Sequence, residues 1–335
     1  MRGGGHQDVI AMEWSIHISG DEEAGATLRP GDINNFDCGL KLRPVLALTA
    51  QLIEEYFGPV RFTRCAYGNE FCEHLLPTVE RLEAVVSAAR RCGLQLTFLT
   101  PYVSDAGIEA LKPLLNLLNK NGEPCEVVFN DWGVLNLIRR EFSKVVPVQG
   151  RLLNKSLRDP RITGMYAATA PGFVPQAAVV SLRRSNLDCS SYAGFLSRMG
   201  VASVELDNLP QGVDLSFTEN GLKANVYLPF GFISTSRICM AAGLHYQKKE
   251  KFQPGAPCQR ECQTHLLEYS YTNSPLGNKD QKFYLKGNTY FYYHTEAMLR
   301  TLFEQARSGL INRLVFQPRL PMMWERPSKL MEERR

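Results

Sequence analysis

Strand-like and helix-like segments alternate along most of this chain with a repeat of roughly 25 to 35 residues, and that rhythm restricts the fold more than any other feature. Leu42–Phe57 carries an apolar stripe at helical spacing (Leu46, Ala50, Ile53, Phe57) and stops at Gly58-Pro59. Val60–Cys65 reads as a strand, Pro77–Arg91 as a helix closed by Gly93, and Leu94–Leu99 as the next strand. A helix over Asp105–Lys120 follows, with Ser104 placed to cap it. Strands at Glu126–Phe129 and Val145–Gln149 flank a helix over Gly133–Phe142. Further on come a helix near Tyr192–Met199, strands at Val201–Leu206 and near Asn225–Leu228, a helix over Thr295–Ser308 and a strand at Asn312–Phe316. Parallel strands joined by helical crossovers account for this order. Spread over about 300 residues, they favour an α/β fold of (β/α) TIM-barrel type, incomplete or distorted versions included, over a three-layer sandwich. No Gly-x-Gly-x-x-Gly opens a helix after a strand, which weakens a dinucleotide-binding reading.

The barrel-like domain is expected over residues 41–320. Residues 1–40 read as an irregular N-terminal extension in which Val9–Ile18 is a strand candidate, and 321–335 as a polar C-terminal tail. Residues 247–288 break the rhythm with a polar, Pro-Gly-containing stretch, the kind of long irregular segment that usually carries function. Hydrophobic residues make up 44% and charged residues 21%, an ordinary globular balance. A net charge of +4 is too mild to point to a nucleic-acid binder. No apolar run approaches the ~18 residues of a membrane span. Met1–Gln7 lacks the basic-then-apolar layout of a signal peptide, so a cytoplasmic location is expected.

Nine cysteines are many for a reducing compartment, where a cluster of them argues for metal or redox chemistry instead of disulfides. Cys239 is followed by Cys258-x3-Cys262, the latter pair in a polar loop where burial as small hydrophobes is unnatural. Thiolates are soft ligands, and iron–sulfur clusters normally take four of them, so a fourth must come from elsewhere: Cys72, Cys65, Cys38 or Cys189. A structural zinc site competes, because sets of four cysteines, or of three cysteines and a histidine, are common and His265 lies close by.

Arg237-Ile238-Cys239 followed by Cys258-x3-Cys262 resembles the cysteine-bearing region of the U-thirty-two (collagenase-like) peptidase family, in particular its UbiV-type branch. The likeness runs from about Leu42 to Pro318 and includes Val128-Phe129-Asn130-Asp131, Asn186-Leu187-Asp188-Cys189, Val204-Glu205-Leu206 and Arg313-Leu314-Val315-Phe316-Gln317-Pro318. The resemblance implies a [4Fe–4S] cluster on Cys239, Cys258, Cys262 and an upstream cysteine, with segment 237–265 as its binding region. Counted back from the helix at Glu80, Cys72 matches the upstream ligand, with Cys65 as the fallback. The stretch Arg64–Phe71 departs from the branch's usual Gly-containing strand end. The branch acts in oxygen-independent ubiquinone hydroxylation. The resemblance therefore implies a part in hydroxylation or related redox modification of a ring substrate, a quinone precursor or a tRNA base.

Barrel sites lie where strands end. Asn130, Asp131 and Glu205 sit near such ends, and Arg151 and Asn154 follow another. Asp131, Glu205 and Arg151 are the catalytic candidates, as carboxylates and a guanidinium that bind a polar substrate or move protons; Asp131 as a helix cap and Glu205 in an ion pair are the plainer roles. Arg237 is either a solvated residue or an offset to cluster charge. Alternation puts Tyr290, Tyr292 and His294 on one strand face, and His74 reads as a polar neighbour of Cys72. Two other functions stay open: a non-catalytic, cluster-bearing partner in a heterodimer with a related family member, and a peptidase. Neither Gly-x-Ser-x-Gly nor His-Glu-x-x-His is present to support the latter.

Overall fold

The computed structural model describes residues 12–18, 42–160, 176–247, 258–270 and 282–322. Eight parallel strands close a barrel in the order β1-β12-β7-β6-β5-β4-β3-β2. They are β1 (Glu13–Ile18), β2 (Arg64–Gly68), β3 (Gln95–Leu99), β4 (Cys125–Phe129), β5 (Val145–Gln149), β6 (Ser203–Asp207), β7 (Lys223–Leu228) and β12 (Arg313–Phe316). The fold is thus the α/β, TIM-type barrel expected from the alternation. Helices such as Arg43–Phe57, Val79–Arg91, Asp105–Lys120 and Glu296–Arg307 cover it, the last three capped by Thr78, Ser104 and Thr295 side chains. Among the described residues no helix is long and apolar enough to cross a membrane.

Strand alternation divides the side chains. Cys65, Phe98, Val127 and Val204 face the helices, while Ala66, Leu99, Val128, Val148, Tyr227 and Val315 fill the barrel interior. The N-terminal end is floored by ion pairs. Glu13 bridges Arg64 (2.8 Å) and Arg313 (2.6 Å), and Arg313 holds Glu126 through two hydrogen bonds of 2.8 and 2.9 Å.

Three boundaries differ from the sequence expectation. Glu13–Ile18, set within the irregular extension of residues 1–40, pairs with both β12 and β2 and closes the barrel, so the domain begins upstream of residue 41. The second strand runs over Arg64–Gly68 instead of Val60–Cys65, because Arg64, Ala66 and Gly68 must face inward while Cys65 and Tyr67 pack outward. Finally, the chain between β7 and β12 builds a second sheet of β8 (Phe230–Thr235), β9 (Leu267–Ser270), β10 (Lys282–Lys286) and β11 (Thr289–Tyr293), antiparallel in the order β8-β11-β10-β9. It rises from the C-terminal ends of the barrel strands, where β7 passes into β8 through Pro229. Phe71, after β2, meets Phe232 and Phe291 edge to face at 5.5 and 5.2 Å and fastens sheet to barrel.

Candidate functional site

Four cysteines from three stretches of chain line one cavity at this end of the molecule. Cys72 follows β2, Cys239 follows β8, and Cys258 and Cys262 flank the turn that enters the short helix Glu261–Thr264. The cavity measures about 70 Å³ and is also lined by His74, Arg237, Glu261 and Asn288. A single water needs about 10–15 Å³ on the same scale, so there is room for a group of several heavy atoms.

Local chemistry presents each sulfur. Gly68 ends β2 at φ +125°, where a Cβ would run into the carbonyl oxygen of Leu99. The chain then makes an Asx turn: the Asn69 side-chain oxygen accepts from the backbone N–H groups of Phe71 and Cys72, both at 2.9 Å. Three of the four sulfurs accept hydrogen bonds from N–H groups. Ala242 donates to Cys239, Arg260 to Cys258 and the Gln263 side chain to Cys262, each at 3.4 Å, and the His74 backbone acts on Cys72. Such donors favour thiolate over thiol. Burial opposes them, pushing the Cys72 thiol up to about 12 and raising Cys239 and Cys262, so a bound cation has to displace protons.

The other cysteines behave differently. Cys125 donates its S–H to the carbonyls of Leu96 and Glu126, both at 3.5 Å. Cys65 is fully buried in the barrel wall near Cys125, its thiol raised to about 12 by burial, and it does not line the cavity. Cys189 is exposed at the start of the helix Ser190–Arg198, and Cys38 lies outside the described residues. His265 points to Thr264 and the Glu261 carbonyl and is not part of the lining. Among the described residues no three Cys, His, Asp or Glu side chains gather tightly enough for a single metal ion. A zinc ion with Zn–S bonds of about 2.3 Å would hold its sulfurs about 3.8 Å apart.

Beneath the sheet, Arg151 is completely buried at the barrel mouth. Its guanidinium meets Glu70 at 2.5 Å and Asp207 at 2.8 Å and lies 3.8 Å from the ring centre of Tyr227. Arg158 braces the far oxygen of Asp207 at 3.2 Å. Two carboxylates do flank Arg151, but they are Glu70 and Asp207. Asp131 caps the helix Trp132–Glu141, accepting from Gly133 N–H at 2.7 Å. Glu205 lies deeper in the barrel, where it accepts from Asn225 at 3.2 Å and faces Arg313 at 3.9 Å. Burial there raises its carboxyl to about 8. Asn130 bonds the Thr100 carbonyl and the Leu152 N–H, fixing the turn that carries Arg151.

His17 and His294 are also buried at this end; desolvation and the nearby Arg151 charge lower them to about 4 and about 3. Both ring nitrogens of His294 lack a hydrogen-bond partner among the described residues. A bulge between Tyr290 and Phe291 shifts the register of β11, and Tyr292 is fully buried while Tyr290 is only partly so. Tyr292 donates to the Asn208 carbonyl at 2.7 Å. A second, open pocket of about 610 Å³ lies against the C-terminal half of β8, lined by Phe232, Ser234, Thr235, Lys155, Arg158 and Arg184 among others, with no carboxylate in its wall.

No protein-family model matches the sequence, and no curated protein matches it. Solved structures similar to it include the U32 peptidase Mk0906, at 10% identity over 94% of this chain and 96% of that one, with a TM-score of 0.39. A glycoside hydrolase family 18 N-acetylglucosaminidase from Paenibacillus barengoltzii has 8% identity over 91% of this chain and 94% of its own, at TM-score 0.32. The Bacillus cereus spore cortex-lytic enzyme SleL has 8% identity over 96% and 74%, at TM-score 0.35. Likenesses this distant carry no argument about activity, and the barrel rests on its own strand pairing.

Proposed function

We propose that the chain is a [4Fe–4S] protein, its cluster held by Cys72, Cys239, Cys258 and Cys262, that takes part in oxygen-independent hydroxylation or related redox modification of a ring substrate. The observation that supports the reading is the convergence of four free thiols, three of them accepting an N–H hydrogen bond, around one cavity of about 70 Å³. Hydrogen bonds to sulfur, burial and local charge are the levers by which a protein tunes such a cluster. Bound there, the cluster supplies one-electron transfer.

The neighbouring residues supply the rest. Lys155 and Arg184 hold an anionic group in the open pocket, whose apolar wall includes Phe232. Strand β8 links the two sites, since Phe232, Ser234 and Thr235 line the pocket and Arg237–Cys239 follow directly. The choice of a quinone precursor or a tRNA base as substrate follows the family resemblance.

The test is anaerobic purification with iron and acid-labile sulfide analysis of the wild type, Cys72→Ala and Cys65→Ala. A brown wild type with equal iron and sulfide, lost in Cys72→Ala and kept in Cys65→Ala, is expected. A colourless protein carrying stoichiometric zinc would overturn the reading.

A further inference from the structure

After β12 the chain returns to the cysteine cavity. Leu320, Pro321 and Met322 are all buried, Met322 to 1% exposure, and Met322 is part of the cavity lining. Its backbone lies at φ +70°, a left-handed conformation that strains any residue with a Cβ and persists only where surrounding contacts impose it. Two features hold it there. The Gln263 side-chain amide donates to the Met322 carbonyl at 3.2 Å, and the same nitrogen donates to the Cys262 sulfur at 3.4 Å. Gly287, at φ +62°, supplies the space: a Cβ there would lie 2.7 Å from the Met322 terminal methyl, 3.1 Å from the Cys262 Cβ and 3.8 Å from its sulfur. The Met322 methyl and Cys262 therefore flank the spot that this glycine leaves empty. Methionine, unbranched and adaptable, fills such irregular gaps. Cys262 is in turn only 4% exposed, whereas Cys72, Cys239 and Cys258 are partly buried.

We infer that Met322 is the solvent seal of the cysteine cavity: a positioning residue, brought back from beyond the last barrel strand, that closes the wall beside Cys262 and keeps water and dioxygen from a cluster held there. The inference rests on the [4Fe–4S] reading. Oxidants reach a sulfur or an iron–sulfur core along paths open to solvent, and solvent exposure is one of the properties that set how such a core behaves. Truncation to alanine removes the side chain beyond Cβ and opens that wall. It leaves every strand pair of the barrel in place, because Met322 lies past the end of β12. Leucine keeps a similar volume and so keeps the wall closed without the sulfur. A residue needed only for folding would, when truncated, loosen the barrel as well as the cavity.

The experiment follows anaerobically purified full-length protein as wild type, Met322→Ala and Met322→Leu. Iron and sulfide are measured first, then the loss of visible absorbance after air is admitted. Iodoacetamide labelling of Cys65 and Cys125, buried in the barrel wall and outside the cavity, is read in parallel by peptide mass spectrometry as a report on the fold. Met322→Ala is expected to bleach several-fold faster than wild type and Met322→Leu to stay near it, with Cys65 and Cys125 unlabelled throughout. Loss of iron from Met322→Ala during purification also supports the seal when Met322→Leu keeps its iron and the two wall thiols stay protected. Bleaching at the wild-type rate in a fully loaded Met322→Ala overturns the inference alone. So does loss of iron from both variants, or faster bleaching accompanied by labelling of Cys65 and Cys125, which marks a general loosening of the fold. A wild type without iron and sulfide overturns the cluster reading, and the inference with it.

Discussion

The side-chain amide of Asn288 lies 2.7 Å from the carbonyl oxygen of Phe71, a residue 217 positions away in sequence and immediately before Cys72. The same nitrogen is 2.7 Å from the Ser236 carbonyl and 2.9 Å from the Tyr102 hydroxyl. One side chain thereby ties together the segment before Cys72, the segment before Cys239 and the hairpin against Cys262.

Asn288→Ala removes this tie and leaves the Phe71 carbonyl without its donor. The expected cost is about 1–3 kcal/mol of stability, read from urea unfolding. Iron retained after anaerobic gel filtration should fall further than this loss alone explains, because the three segments no longer share an anchor. Unchanged iron content would show that the cavity is held by the cysteine loops themselves.

Arg151→Met tests the buried centre. It strands the buried Glu70 carboxylate and leaves Asp207 with Arg158 alone, which costs about 3–5 kcal/mol even though the intact pair adds little net stability. Chemical denaturation at neutral pH measures it. A Glu70→Gln/Arg151→Met double variant should recover much of the loss, since Asp207 keeps Arg158 as its partner and no carboxylate is then stranded.

The pH dependence of stability has a definite shape. Glu205 has its folded pKa raised to about 8, so the stability its protonated form contributes is lost as pH rises from about 4.5 towards 8. His17 and His294 are lowered to about 4 and about 3; the stability their neutral forms contribute is present above 6.5 and lost as pH falls below it. These three groups together place maximal stability near pH 6.5. Urea midpoints from about pH 5 to 8 should fall on both sides of that value, by at most about 1.4 kcal/mol per pH unit per group. Glu205→Gln should flatten the alkaline limb and steepen the acid one, because Glu205 titrates across both.

Lys155→Ala/Arg184→Ala should weaken binding of carboxylate- or phosphate-bearing ring compounds at the open pocket and reduce the salt dependence of that binding. Fluorescence titration at two ionic strengths decides it. Both residues lie at the surface, so the melting temperature should stay within about a degree or two of wild type.

Much of this was legible in the amino-acid order. Ser104 and Asp131 announce their helices, and the strand–helix alternation specifies the barrel. Cys258-x3-Cys262 marks a thiol centre because no apolar pattern surrounds it. Other features were not legible because they depend on register. Reading β2 as Val60–Cys65 hides Glu70, which follows the true strand end at Gly68. Ending β6 at Leu206 hides Asp207, one residue further along the inward-facing row. Asp131 and Glu205 are carboxylates at strand ends too, yet one turns back to its helix and the other faces Arg313 inside the barrel.

The barrel's seam joins β1 to β12, and Glu13 pairs with Arg313 across 300 residues of chain. Closure is therefore among the most non-local contacts this molecule makes, and loop-closure entropy makes such contacts late and slow. During synthesis every segment that contributes to the cysteine cavity up to Asn288 leaves the ribosome before the strand that seals the cylinder. The thiols are thus on hand while the barrel is still an open, curling sheet, so the order of assembly written into the topology makes the cavity's residues available first and the scaffold's last hydrogen bonds second.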